Sequence, residues 1–142
     1  MGYLDKRTVV LGVGGGIAVY RVCELARLLM KRGATVRVTM TRNALEFVTA
    51  NTFQALTGNP VLVDLFDLNQ KAIFGHLETG KRADLLIVAP ATANLIARIR
   101  MGMADDAVTT TVLSSGCPVL LAPAMNVQMW ENRQVQENVA AL

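Results

Sequence analysis

Four short runs of this sequence combine glycine, proline, hydroxyl and amide residues at the places where strand-like segments end. They are residues 12–17, 41–43, 90–95 and 123–126. Ligands of parallel α/β sheets bind at the carboxyl ends of the strands, so chemistry is expected at these four runs. The first is a glycine turn before a helix, where free backbone N–H groups suit a phosphate.

The glycine turn resembles a dinucleotide fingerprint but does not complete it. Counting G-x-G-x-x-G from Gly12 places Ile17 at the third glycine. The next strand-like segment ends in Thr41, Arg42 and Asn43, without the acidic residue that holds the ribose of NAD. A mononucleotide therefore fits better than NAD. The other interpretation is that the glycines only allow a strand and a helix to pack closely.

Two further turns share a proline, small residues and an asparagine. One is Pro-Ala-Thr-Ala-Asn at residues 90–94, and the other is Ala-Pro-Ala-Met-Asn at residues 122–126. Small residues let a flat ring lie against the backbone, and the amides of Asn94 and Asn126 can bind heteroatoms of a ring or substrate. The two turns indicate a planar cofactor, although either asparagine alone is also typical of a helix N-cap.

His76 is the single histidine of the chain and follows a loop-like segment. Its position fits either a functional residue or an ordinary residue at the surface or at the start of a helix. Cys23 and Cys117 form no CxxC pair, and with one histidine they offer no metal-ligand cluster. We interpret both cysteines as free thiols in the core and expect no metal site.

These turns are positioned by strands and helices that alternate along the chain. A buried strand at residues 7–13, an amphipathic helix at 17–32 and a second strand at 34–40 predict a right-handed βαβ unit. The other predicted elements are a helix at 41–57 broken near 49–51, strands at 61–63, 85–89 and 119–122, and helices at 91–101 and from Asp105 and Asp106 onward. The alternation predicts an α/β fold, a three-layer Rossmann-like (flavodoxin-like) parallel sheet with helices on both faces.

The composition limits the class of protein. With 142 residues, 52% hydrophobic and 18% charged, the chain is expected to form one domain without long disordered tracts. The net charge is +3, with eight basic against two acidic residues up to Arg42 and six against nine after it. No basic stripe interleaved with aromatic residues predicts nucleic-acid binding. No segment predicts a membrane span or signal peptide, so a cytoplasmic location is expected.

Taken together, the motifs resemble one family, the flavin-containing cysteine decarboxylases. The most specific are Pro-Ala-Met-Asn-Val-Gln-Met-Trp at residues 123–130 and Gly-His-Leu at residues 75–77. Within the family, the chain resembles the branch that acts on phosphopantothenoylcysteine, usually the N-terminal half of a bifunctional coenzyme A biosynthesis protein. The resemblance covers nearly the whole chain and also rests on residues 14–18 with Tyr20, 53–61, 89–94, Gly102 and 104–106.

The resemblance implies an FMN-dependent enzyme that decarboxylates 4'-phosphopantothenoylcysteine to 4'-phosphopantetheine. In this chemistry the flavin oxidises the cysteine to a thioaldehyde, CO2 leaves, and the flavin returns the electrons. His76 is implied as the base near the substrate thiol, and Asn126 as the ligand of the substrate carboxylate. The implied FMN contacts are Gly15, Gly16, Ile17, Thr41, Arg42 and Asn43 for the phosphate, and Thr92, Ala93, Asn94, Leu95 and Ala124 near the ring. Leu95 stands where the family usually has threonine, which removes one hydroxyl from the flavin turn.

The resemblance also implies partners. The family forms trimers, often four together as a dodecamer, with FMN at a subunit interface, and the segment around Phe53 is expected to be interfacial. We expect residues 1–142 to form a single domain truncated before the C-terminal substrate flap, and a synthetase domain fused after it. The flap carries a cysteine acid in the family, so without it the expected product is the oxidised enethiol. Two alternatives stay open, a peptidyl-cysteine decarboxylase of lantibiotic maturation and a flavin-binding regulatory module that would not need His76.

Overall fold

The computed structural model describes residues 2–67 and 82–142 and contains a sheet of five parallel strands. The strands are β1 (Thr8–Val13), β2 (Thr35–Met40), β3 (Val61–Leu62), β4 (Leu85–Ala91) and β5 (Val119–Pro123). Their order across the sheet is β3-β2-β1-β4-β5. The chain therefore builds one half of the sheet outward from β1 and then returns to build the other half from β4.

Helices cover both faces of the sheet, as the alternation of elements predicts. One face packs against α1 and α2, and the other against α3 and α4, with α6 resting on α3. The helices are α1 (Val19–Lys31), α2 (Ala50–Thr57), α3 (Ala93–Arg100), α4 (Ala107–Ser114), α5 (Val127–Glu131) and α6 (Arg133–Ala141), with a 3₁₀ turn at Asn43–Glu46. The predicted three-layer α/β fold is thus confirmed.

The central strand β1 is apolar on both of its faces because both are covered. Val9 and Leu11 pack in the core on the side of α1 and α2, whereas Val10 packs on the side of α3 and α4. β1 pairs with β2 and β4 nearly to its end, with Val13 opposite Met40 and Gly12 opposite Val88. The carboxyl ends of three strands therefore lie side by side at the point where strand order reverses, which is where such sheets bind ligands.

The break predicted near residues 49–51 in the helix at residues 41–57 is confirmed, because Thr49 takes an extended backbone conformation before α2. The part before the break is shorter than predicted, a 3₁₀ turn at Asn43–Glu46. The first helix begins at Val19 rather than Ile17. The helices α5 and α6 were not predicted, and neither has a fully buried residue.

Phe53 is fully buried and packs inside the chain's own core. Its neighbours Thr52 and Gln54 on α2 are exposed, so Phe53 is the anchor of an amphipathic helix. The Phe53 side chain therefore serves the core of its own chain. The expectation that the segment around it lies at a subunit interface stays a prediction, and the exposed residues of α2 would have to form that contact.

Replacing Thr39 with valine is expected to raise the free energy of unfolding by about 1 kcal/mol. The Thr39 side chain of β2 is fully buried, and its hydroxyl has no hydrogen-bond partner among the described residues. Valine keeps the shape and removes the unsatisfied group. Urea unfolding measures the change, with Thr111→Val as the matched control, because the buried Thr111 hydroxyl donates to the Ala107 carbonyl at 2.7 Å. A destabilised Thr39→Val protein would show that the hydroxyl is paired.

Asp84 makes the stability of the fold depend on acid pH. Its carboxylate accepts hydrogen bonds from the Thr8 amide at 2.8 Å and from the Arg7 guanidinium at 2.9 Å, which joins the start of β4 to β1. These contacts lower the pKa of Asp84 below its ordinary value, and the hydrogen bond from the Thr8 amide contributes more than that from Arg7. The stabilisation is therefore present above the unfolded-state pKa and is lost as pH falls through the lower, folded-state pKa.

We expect Asp84→Asn to be less stable than the wild type at neutral pH and to approach it as the pH falls, because protonated Asp84 has lost the same ionic contacts. Chemical denaturation at a series of pH values between neutrality and about pH 3 measures both proteins. Two stability curves that run parallel over that range would contradict the prediction.

Candidate functional site

A cavity of about 840 Å³ lies at the carboxyl ends of the strands. This volume is within the range of small-molecule and cofactor sites. All four predicted turns reach it, and the eleven residues predicted for FMN all line it: Gly15, Gly16, Ile17, Thr41, Arg42, Asn43, Thr92, Ala93, Asn94, Leu95 and Ala124. Asn126 also lines the cavity, whereas His76 lies outside the described residues.

The helix α1 begins at this cavity without a cap of its own. Its N-cap residue, Ala18, has no side chain that can accept from the first turn, and no acidic residue lies in that turn. In contrast, α3, α4 and α5 at the same cavity are each capped by a side chain. Within the described parts of the chain, the amides of Gly15, Ile17 and Ala18 donate no hydrogen bond. These free donors and the helix dipole favour an anion at this position.

The glycines of the turn do not all serve packing. A Cβ on Gly15 would lie 2.5 Å from the Asn43 Cβ, so close contact with the neighbouring turn requires glycine there. A Cβ on Gly16 would have no neighbour nearer than 3.7 Å, in Pro90 and Thr92. Close packing of a strand and a helix therefore explains the glycine at position 15 but not the one at position 16. At Gly16 the missing side chain leaves open space at the cavity wall.

The second predicted turn has polar groups that are already partly engaged. The Thr41 hydroxyl accepts from the Ala44 amide at 3.2 Å, which leaves its own O–H free to donate. The Arg42 guanidinium pairs with Asp64 at 3.0 Å. Asp64 lies in the segment after β3, so this ion pair joins that segment to the second turn. Within the segment, Asp64 also accepts from the Phe66 amide at 2.9 Å.

The third turn begins α3, and Thr92 rather than Asn94 is the cap. The Thr92 hydroxyl accepts from the Leu95 amide at 3.1 Å. The exposed side chain of Asn94 makes no hydrogen bond within the described residues, so its amide is available to a ligand. Leu95 is only 2% exposed and packs in the core with Val10, so a threonine there would exchange core packing for a hydroxyl.

The fourth turn is held against the third, and Asn126 is both a cap and a candidate ligand. The Ala124 amide donates to the Ala91 carbonyl at 3.2 Å. The Asn126 Oδ1 accepts from the Met129 amide at 2.8 Å and caps α5. Among residues 2–67 and 82–142 the side-chain nitrogen has no acceptor, and a donor is what a substrate carboxylate requires.

Several cavity residues were not predicted as site residues from the sequence. They are Ala18, Val63, Asp64, Leu65, Phe66, Arg98, Asp105, Asp106, Ala107, Met125 and Met129. Arg98 pairs with Asp105, and Asp106 caps α4 through the Thr109 amide at 2.8 Å. The signal that could have found Arg98 is its spacing, because it follows Asn94 by one helical turn and so shares its face.

The cysteines lie away from this cavity and pack against the core. Cys23 contacts the cluster beneath α1, and Cys117 contacts the cluster beneath α3. Burial raises the pKa of the Cys23 thiol, which keeps it protonated at neutral pH. Neither is placed to react with a ligand of the cavity. No helix in residues 2–67 and 82–142 is long and apolar enough to cross a membrane.

Replacing Gly14 with alanine is expected to lower the free energy of unfolding by about 1–3 kcal/mol, because the added methyl group overpacks the core. Its Cβ would lie 2.4 Å from the Pro90 carbonyl oxygen and 2.7 Å from a Leu95 methyl group. The matched control is Gly116→Ala, where no heavy atom lies within 4 Å of the added Cβ. Urea unfolding of the two variants measures the difference, and equal stabilities would contradict the close approach at Gly14.

Comparison with known proteins supports a flavin site at this cavity. The profile of the family described as Flavoprotein matches residues 2–142. The Coenzyme A biosynthesis bifunctional protein CoaBC of Vibrio cholerae is 50% identical over 139 residues, 98% of this chain and 35% of that protein. The chain thus spans about a third of the length of this curated relative.

Two solved structures share the fold at substantial identity. The FMN-dependent cysteine decarboxylase SpaF is 33% identical with a TM-score of 0.90, over 98% of this chain and 80% of that one. A PPC decarboxylase mutant complexed with pantothenoylaminoethenethiol is 26% identical with a TM-score of 0.84, over 97% of this chain and 78% of that one.

Proposed function

This chain belongs to the flavoprotein family, and we propose that its cavity binds FMN. With this cofactor the protein decarboxylates 4'-phosphopantothenoylcysteine to 4'-phosphopantetheine, a step of coenzyme A biosynthesis. The observation that carries the proposal is the meeting of four turns in one cavity at the uncapped start of α1. The relative named as a coenzyme A biosynthesis protein, at 50% identity, supports the substrate.

The described residues fit FMN. The free amides of Gly15, Ile17 and Ala18 would hold the phosphate at the helix N-terminus, and the Thr41 hydroxyl can add a donor. Gly16 leaves the space that a phosphate needs close to the backbone. Ala93 and Ala124 offer small side chains to the ring.

The chain's own residues would bind and orient the substrate. When bound, the flavin supplies the electron sink that a cysteine carboxylate lacks. The Asn126 amide nitrogen would donate to the substrate carboxylate, and His76 would take the proton of the thiol.

A visible absorption spectrum of the purified protein tests the cofactor, followed by identification of any flavin released on denaturation. We expect flavin bands and released FMN, and mass analysis of the reaction with phosphopantothenoylcysteine is expected to show a product that has lost CO2. A colourless protein that FMN cannot reconstitute would overturn the cofactor proposal. Bound FMN without loss of CO2 from this substrate would overturn only the proposed reaction.

The alternative substrate is the C-terminal cysteine of a peptide. SpaF, named as an FMN-dependent cysteine decarboxylase, supports decarboxylation of a cysteine without specifying this substrate, and the identity is 33% there against 50% for the coenzyme A biosynthesis protein. Measuring the rate of CO2 release from each substrate with the same protein distinguishes the two proposals, because only the true substrate should be decarboxylated rapidly. A regulatory module that only binds flavin would act on neither.

We propose that the protein is a homo-oligomer, a trimer or dodecamer, with the site at a subunit interface. Exposed apolar side chains at the cavity support this, since Ile17 is 74% and Phe66 82% exposed. Light scattering after size exclusion measures the assembly. A fused synthetase domain and a cytoplasmic location belong to the same proposal, and the former is supported by the greater length of the bifunctional relative.

A further inference from the structure

The loop between α3 and α4, residues 101–106, forms part of the cavity wall without an apolar anchor. Asp105 and Asp106 line the cavity, and residues 101–105 are all exposed. Even Met101 and Met103 point to solvent, at 72% and 41% exposure. Since hydrophobic burial does not fix this loop, polar contacts must do so.

Hydrogen bonds fix the loop on both sides of Asp105. Before it, the Met103 amide donates to the Arg98 carbonyl at 3.0 Å, with Gly102 in the left-handed conformation, and the Thr110 hydroxyl donates to the Ala104 carbonyl at 3.1 Å. After it, the Asp106 carboxylate caps α4. Asp105 itself is held by the guanidinium of Arg98, which also lines the cavity.

The Arg98 guanidinium is better shielded from water than that of Arg42, which also forms an ion pair at the cavity. The Arg98 side chain is 30% exposed and that of Arg42 is 74% exposed, whereas their partners Asp105 and Asp64 are 52% and 37% exposed. Screening by water and salt is therefore weaker around the Arg98 charge, although its partner Asp105 is in contact with solvent. Arg98 also follows Asn94 by one turn on the cavity face of α3, so it links the predicted ring contacts to the loop.

We propose that Arg98 is a positioning residue that acts through Asp105 to hold the α3–α4 loop as a wall of the flavin cavity. Its guanidinium is engaged by Asp105, so it shapes the site rather than neutralising the charge of a ligand. The effect on flavin binding rests on the proposed function, whereas the effect on the loop does not.

The test compares Arg98→Gln, Arg98→Lys and the charge-swapped pair Arg98→Asp with Asp105→Arg. Hydrogen exchange of the amides of residues 101–106 is measured in flavin-free protein, and FMN affinity by fluorescence titration. Arg98→Gln is expected to speed loop exchange and weaken FMN binding, each by about three- to fivefold. Arg98→Lys and the swapped pair are expected to return both values to within about twofold of the wild type.

Arg133→Gln is the matched control, because Arg133 pairs with Glu137 on the exposed surface of α6 and does not line the cavity. Arg133→Gln should change neither the amide exchange of residues 101–106 nor the FMN affinity. Unchanged loop exchange in Arg98→Gln would overturn the proposal even if the wild type bound no FMN. Weak FMN binding in the swapped pair, with the loop order restored, would overturn it too, because the charge at position 98 would then act on the ligand directly.

Discussion

Replacing His76 with asparagine is expected to lower the rate of decarboxylation by about 10²–10⁴-fold while FMN stays bound. His76 lies outside the described residues, so the expectation rests on the family resemblance and on the chemistry of the step. Asparagine can replace a hydrogen bond of the imidazole but cannot accept a proton near neutral pH. The loss should therefore fall on turnover and not on cofactor affinity, because the proposed cofactor contacts come from the four turns.

Two measurements decide this prediction. The flavin spectrum of the variant reports the cofactor, and release of CO2 reports turnover. Wild-type turnover in His76→Asn would exclude the role as base and favour a module that only binds flavin.

Replacing Asn126 with aspartate is expected to lower kcat/KM by about 10²–10³-fold without destabilising the fold. The Oδ1 atom of Asn126 caps α5, and aspartate caps helices as well as asparagine does. What the variant loses is the Nδ2 donor, and what it gains is a negative charge facing the substrate carboxylate. The two roles of this side chain can thus be separated by one substitution.

Asn132→Asp is the matched control for this substitution. Asn132 caps α6 in the same way, with its Oδ1 accepting from the Gln134 amide at 2.8 Å, and it does not line the cavity. Steady-state kinetics and urea unfolding are measured on both variants. Equal kinetics in the two would show that Asn126 serves only as a cap, and a large loss of stability in Asn126→Asp would show that the cap had not been kept.

The features that could be predicted from the sequence follow from the parallel sheet. Buried strands such as residues 8–13 have nearly continuous apolar sequences, and short connections force the crossovers that make neighbouring strands parallel. Once the strands are parallel, their carboxyl ends must share an edge, so runs of glycine, proline and asparagine far apart in the chain must meet there. All four turns accordingly line one cavity.

The features that could not be predicted depend on which side chains meet across the fold. The pairs Arg42 with Asp64 and Arg98 with Asp105 join different turns and loops, and a single sequence does not say which arginine faces which aspartate. Burial of the Phe53 side chain in the chain's own core could not be read from the sequence either, since local pattern does not distinguish the core from another apolar environment. The roles assigned to His76 and Asn126 remain predictions.

The cavity takes its walls from both halves of the sheet, from the turn after β1 to the turn after β5. Contacts between segments so distant along the chain give a high contact order, and they form late because long loops must close first. A chain emerging during synthesis therefore has no complete site until β5 has joined β4. Capture of the flavin then marks the completion of folding, and an excess of free cofactor cannot template its early steps.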